Sequence, residues 1–249
     1  MPFTIELEDS HLYDVNDAPV FPIGSRGGTA DGRLFRFAKD DGTGILPGLL
    51  CQCKAEDNTN DNMVVAVSAA ATDGRVLLTS GDTWTKDQLL DGLLTCEVNT
   101  ATTGGCGWNI GANDAAVSAQ NFYVYLKPSV TFGKAITAGT DSVYCRQNLW
   151  RDVIVYPTTS TGVAVGVTMT KITASGDPYS WLCTRGLCAV SMDNDGSDIT
   201  VGESLCPDGT VGGSVENVTG GVEEQVIGAT VAVQGQTDQE MIPVFLTIE

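Results

Sequence analysis

The stretch Tyr179-Ser-Trp-Leu-Cys-Thr-Arg-Gly-Leu-Cys-Ala-Val-Ser-Met192 decides the fold class. Its apolar and aromatic run breaks at Arg185-Gly186 and resumes at Leu187-Cys188-Ala189-Val190. Two strand-like segments joined at a glycine able to take a positive φ predict a β-hairpin. Downstream, Asp193-Asn-Asp-Gly196 reads as a turn, Ile199 to Leu205 as a short strand, and Pro207-Asp-Gly-Thr210 as another turn. Gln225 to Val233 and Glu240 to Glu249 read as the closing strands. In the last of these Ile242, Val244, Leu246 and Ile248 fall on one face, as a strand with one buried side requires. The spacing predicts a compact barrel or sandwich over 163–249.

Composition extends that reading to the whole chain. Of 249 residues 42% are apolar, enough for a substantial core, while only 18% are charged and 29 are glycine. Few charges with many turn formers and β-branched residues favour strands over helices. The expected fold is mainly β: one or two compact β-sandwich or barrel modules with short antiparallel strands and at most one or two short helices. The 31 acidic against 13 basic residues leave a net charge of −18, which repels nucleic acid and anionic lipid. Direct nucleic-acid binding and membrane association are therefore not expected. Met1-Pro-Phe-Thr-Ile-Glu-Leu-Glu8 has neither the basic start nor the apolar core of an export signal, so synthesis in the cytoplasm is expected.

In chain order, Phe3, Ile5 and Leu7 alternate with polar residues and lead to a polar stretch, so 1–20 reads as an N-terminal arm. Such a strand either adds to a neighbour's sheet or pairs within its own domain. Residues 21–156 read as a first β domain, with turns at Ala30-Asp-Gly-Arg33 and Thr72-Asp-Gly-Arg75. Within it, Thr85-x-x-Gln88 fits a capping box ahead of Leu89, Leu90 and Leu93, predicting a helix of at most two turns weakened by Gly92. Phe122, Val124 and Leu126 alternate with Tyr123 and Tyr125 as a strand. Pro157-Thr-Thr-Ser-Thr-Gly162 reads as the linker to the second module.

Chemistry is sparse. One histidine, His11, leaves no evident base for a nucleophilic system. Paired carboxylates of the glycosidase kind cannot be singled out among so many turn-forming Asp and Glu residues. Asp193-x-Asp195-Gly196 and Asp57-x-Thr59-x-Asp61 resemble fragments of calcium loops. In the first, however, the closing position of an EF-hand register falls on Gly202 instead of Glu. No metal or other cofactor is therefore expected. The eight cysteines read as reduced and buried. Cys183 with Cys188, and Cys96 with Cys106, each flank an expected turn and are the pairs best placed to oxidise. Trp84, Trp108, Trp150 and Trp181 read as core or interface anchors ahead of a sugar platform.

The series Tyr179-x-Trp181-x-x-Thr184-x-Gly186, Val201-Gly-x-x-Leu205 and Val226-Ile-Gly228 resembles the capsid decoration ("cement") proteins of tailed bacteriophages. Phe21-Pro-Ile-Gly-Ser-Arg-Gly-Gly-Thr-Ala-Asp-Gly-Arg-Leu-Phe-Arg-Phe-Ala38 resembles the start of the same family. The resemblance covers roughly 20–50 and 150–249 and rests on turns and strands, not on catalytic signatures. It implies a virion structural protein on the capsid surface, a homotrimer or homodimer bound to the major capsid protein. Phe3, Ile5 and Leu7 are the expected arm, and Trp181 and Arg185, at the expected hairpin tip, the expected contact residues. The alternative is a head-fibre or tail-tip protein that binds a receptor or glycan. That role needs exposed aromatics and polar partners in a concave site, where a decoration protein needs a flat, extended contact surface.

Overall fold

Short alternating runs separated by Gly, Asp and Asn become strands in the computed structural model, which describes residues 4–98, 107–174, 178–193, 199–218, 225–232 and 239–249. The chain divides into two compact units, Met1–Glu56 with Trp150–Glu249, and Asp57–Leu149. The first unit opens with β1 (Ile5–Glu6), β2 (Arg26–Gly28), β3 (Leu34–Lys39) and β4 (Leu50–Gln52). The second unit holds β5 (Met63–Val67), β6 (Arg75–Thr79), β7 (Leu93–Val98), β8 (Gly107–Asn113), β9 (Asn121–Leu126) and β10 (Ser142–Arg146). The chain then returns to the first unit as β11 (Ile154–Val155), β12 (Ala164–Thr168), β13 (Tyr179–Met192), β14 (Ser204–Pro207), β15 (Val215–Asn217), β16 (Gly228–Thr230) and β17 (Glu240–Thr247). Among the described residues helix is confined to two 3-10 turns, Asp9–Tyr13 and Asn58–Asn60.

This division replaces the expected boundary at 157–162. Pro157–Gly162 is no linker, because Thr161 within it is bonded back to the end of β4 and the segment that follows it. Glu56 N–H donates to the Thr161 carbonyl at 3.0 Å, and the Gln52 side-chain amide donates to the Thr161 hydroxyl at 2.7 Å. The chain passes between the units instead at 149–150 and in the polar tract 55–62, where the Asp57 carboxylate accepts from the Thr59 N–H (2.9 Å) and hydroxyl (2.7 Å). A carboxylate that caps its own turn in this way satisfies local backbone donors without a metal.

In the second unit the strands close into an antiparallel barrel in the order β10-β5-β6-β9-β8-β7. Strict alternation drives it: Phe122, Val124 and Leu126 point inward, while Tyr123 and Tyr125 stay partly exposed, as their spacing predicts. Val76, Leu78, Val143 and Cys145 supply further inward positions, and Trp108 meets Phe132 edge to face at 5.1 Å. The expected helix at 85–93 is absent. The Gln88 side chain does accept from Thr85 N–H at 3.0 Å, but Asp87 and Asp91 adopt φ of 60° and 61°. Those values end any right-handed helix, and the segment becomes consecutive turns that seat Leu89 in the barrel core.

In the first unit the expected hairpin at Arg185-Gly186 is instead one continuous strand of 14 residues. Its first half pairs antiparallel with β3 (Trp181 opposite Phe37) and its second half with β17 (Cys188 opposite Val244). Gly186 does take a positive φ, 95°, but it marks a change of partner and not a reversal. The register shift between Cys183 and Arg185 flips the parity of the strand. Trp181 and Cys183 before it, and Cys188, Val190 and Met192 after it, therefore enter the same core. From β13 the pairings run through β15, β14, β16 and β17 and return to β13, giving the compact closed module expected over this region. Ile242, Val244 and Leu246 are buried on the predicted face of β17.

The outer end of that module is tied by charge. Arg36 donates to both Glu249 carboxylate oxygens, Arg26 lies 3.7 Å away, and the Thr184 hydroxyl donates at 3.2 Å. Burial pushes the Glu249 carboxyl up, but the Arg36 hydrogen bond and charge, then Thr184 and Arg26, together hold it below the usual range. A depressed carboxyl stabilises the fold above its unfolded pKa and loses that contribution as pH falls through the folded value. Glu249→Gln is therefore expected to flatten the loss of stability below the ordinary value of 4.5. Urea midpoints of both proteins at neutral and acid pH check this, and parallel pH dependences would count against the tie.

Candidate functional site

The structure separates the residues singled out from sequence. Phe3 lies outside the described residues. Ile5 and Glu6 pair in parallel with Gly27 and Gly28, and Leu7 is buried in the first unit's core. The segment is thus a strand of its own domain and not an arm free to reach a neighbour. Trp181 is only 2% exposed, packed on Phe37 at 5.2 Å and Phe21 at 5.5 Å. It is a core residue, because the strand passes through the point where a hairpin tip was expected. Of the four that are described, Arg185 alone is exposed.

Arg185 begins the outer face of the β13–β17 pair. Beyond the parity change, residues 185, 187 and 189 point out opposite Thr247, Phe245 and Pro243. Leu187 is 52% exposed, Phe245 46% and Met241 50%, and Ala189 and Pro243 are exposed between them. Directly opposed pairs across two antiparallel strands place these side chains on one continuous face. Met241 also runs across Gly48, whose Cβ would lie 2.5 Å from the Met241 sulfur, so a side chain there would displace it. A cluster of large exposed apolar side chains on one regular face is what contact surfaces present. The alternation of Leu187-x-Ala189 and Met241-x-Pro243-x-Phe245 was readable; the pairing that makes one face of them was not.

The barrel unit carries a different kind of surface, an open cleft of about 500 Å³. Its floor is the outward row of β6 and β9, with Arg75 opposite Tyr125 and Leu77 opposite Tyr123. The Arg75 guanidinium stands 4.5 Å from the centre of the Tyr123 ring, and the two tyrosine rings are 5.9 Å apart. Its wall is the segment after β5. A register shift at Val65–Val67 turns the chain out of the β5–β6 ladder, and reciprocal Ala69–Ile136 hydrogen bonds of 2.9 Å hold it away.

The tryptophans form no platform: Trp84, Trp108 and Trp181 are buried, and Trp150 lies half-buried beneath Arg36, its ring centre 4.6 Å from the guanidinium. Cys183 and Cys188 are free thiols in the structure. A hydrogen bond with Cys183, then burial, pushes the Cys188 thiol up, so Cys188 is not poised as a thiolate nucleophile. Burial does the same to Cys51 and Cys145. Cys106 and residues 194–196 lie outside the described residues, and with them the Cys96–Cys106 pair and the Asp193–Gly196 turn. Among the described residues no group of three or more His, Cys, Asp or Glu converges to hold a metal. Comparison with protein families, with curated proteins and with solved structures finds no match.

Proposed function

We propose that the chain is a virion structural protein that decorates a tailed-phage capsid by binding the major capsid protein. The observation that carries this reading is the apolar outer face of β13 and β17, with Leu187, Met241 and Phe245 exposed on one regular pair of strands. Large apolar side chains at the centre of a contact and arginine beside them are what anchor protein interfaces. Arg185 stands at one end of that row. The mechanism is adhesion without chemistry. A symmetric dimer or trimer seated where shell subunits meet would hold neighbours together against internal pressure. The net charge of −18 suits this, keeping free copies apart and off the packaged nucleic acid.

The test is occupancy of purified particles by wild-type protein and by the pair of substitutions Leu187→Glu and Phe245→Glu. Wild type is expected in simple ratio to the shell subunit by quantitative mass spectrometry. The variant, folded because both side chains point to solvent, is expected to bind at least about tenfold more weakly, ~1.4 kcal/mol. Full occupancy by the variant would remove this face from the mechanism. A copy number of a few per particle would favour a head-fibre or tail-tip role, the second reading, which the aromatic cleft of the barrel unit favours. Absence from particles would end both.

A further inference from the structure

We propose that the cleft on the barrel unit binds a neutral saccharide. Its floor presents two tyrosine rings inclined at 41° to each other, with the Arg75 guanidinium over the Tyr123 ring, and aromatic rings pack against the C–H faces of hexose rings. Its polar groups are arranged for hydroxyls, which both donate and accept. Arg75 is fixed over Tyr123, yet its guanidinium makes no hydrogen bond or ion pair with any described residue, so its donors are left for a ligand. By contrast, Arg26, Arg33 and Arg36 each face a carboxylate. Asp73 spends one oxygen on the Ala70 N–H at 2.7 Å and keeps the other as an acceptor. Ser68 and Thr72 add hydroxyls from the same wall.

The cleft is built before any ligand arrives. Ala138 N–H donates to the Ser68 hydroxyl at 2.9 Å, Gly133 N–H to the Ala71 carbonyl at 2.8 Å, and Phe132 N–H to the Asp73 carbonyl at 3.1 Å. These bonds clamp the wall to segment 132–138 over the length of the cleft. On the floor, the Tyr125 hydroxyl stands 3.4 Å from both oxygens of Asp114, which steadies the second ring. A wall and floor that need no ordering spare the ligand an entropic cost. The volume falls within the range of small-ligand sites, and the mix of aromatic and polar lining is that of a site that orients its guest. Neutral sugars are favoured over acidic ones. Asp73 offsets Arg75 locally, and a chain of net charge −18 repels anions at long range.

This inference does not depend on the capsid reading, since it concerns the other unit and is read in purified protein. Saturation-transfer NMR on the full chain, with maltohexaose, cellohexaose, chitohexaose and mannohexaose as probes, tests it. At least one probe is expected to bind with a Kd of about 1 mM or tighter, about −4 kcal/mol. Tyr123→Ala is expected to weaken that probe at least tenfold with an unchanged barrel circular-dichroism spectrum, and Tyr123→Phe to retain it. Arg75→Ala is expected to weaken it severalfold. Silence from all four probes, or binding indifferent to Tyr123→Ala, would overturn the proposal.

Discussion

Trp181→Ala is expected to destabilise the first unit by about 3–5 kcal/mol, the usual cost of removing a large buried aromatic. The indole is 2% exposed and meets Phe37 at 5.2 Å and Phe21 at 5.5 Å; Phe37 in turn stacks on Tyr179 at 5.8 Å. Truncation therefore breaks a chain of ring contacts, each worth ~0.5–1.5 kcal/mol beyond its buried area. Collapse into the space is poor. On one side stands the Gly27 backbone, whose Cβ would lie 2.9 Å from the indole, and glycine has no side chain to swing inward. Against a total stability of about 5–15 kcal/mol, such a loss brings the unit close to unfolding at body temperature. Urea titration followed by circular dichroism measures it. Arg185→Ala, four residues along the same strand and exposed, is the control, expected within ~0.5 kcal/mol of wild type. Were Trp181 a contact residue at an exposed tip, the two substitutions would be equally mild.

That contrast locates what the sequence carried and what it did not. Features fixed by neighbouring residues were legible. The turn at Ala30–Arg33 joins antiparallel strands as its Asp-Gly pair predicts, and β9 and β17 show the burial their alternation implies. Features fixed by distant partners were not. Whether β13 reverses or continues at Gly186 depends on β3 and β17, which lie far away on either side in sequence, to pair with its two halves. The same holds for the segment 157–162, whose composition reads as a linker until Gln52 and Glu56 bond to its Thr161 hydroxyl and carbonyl. For the two candidate surfaces the sequence showed the parts and not the assembly. Tyr123 and Tyr125 were correctly placed on one face, but the wall above them comes from 68–74, held by segment 132–138. Arg185 is exposed, but on the face of a continuous strand and not at a hairpin tip. The burial of Trp181 was not legible, because an indole suits a core and an interface equally well until its neighbours are known.

Gly92→Ala separates the local and the tertiary readings by the sign of its effect. Propensity favours the substitution: inside a helix from Thr85 to Leu93, alanine would gain about 1 kcal/mol over glycine. In the structure the segment is a run of turns, and Gly92 sits where backbone meets backbone. Its N–H donates to the Leu89 carbonyl and its own carbonyl accepts from Ile110 N–H, both at 2.9 Å. A Cβ added there would stand 2.1 Å from the Arg146 carbonyl oxygen and 2.8 Å from that of Leu89. Neither obstacle is a rotatable side chain. The first belongs to the end of β10, where Arg146 pairs with Leu93, and the second to the turn that seats Leu89 in the barrel core. Relief requires moving one of them, so the substitution is expected to cost about 3 kcal/mol, the upper part of the overpacking range. Gly107→Ala is the control on the neighbouring strand: its Cβ would make an ordinary contact at 3.6 Å with Leu93, and a change within ~0.5 kcal/mol is expected. The measurement is the urea midpoint of each variant. A Gly92→Ala protein more stable than wild type would mean that 85–93 is helical after all and that the barrel closes differently at β7.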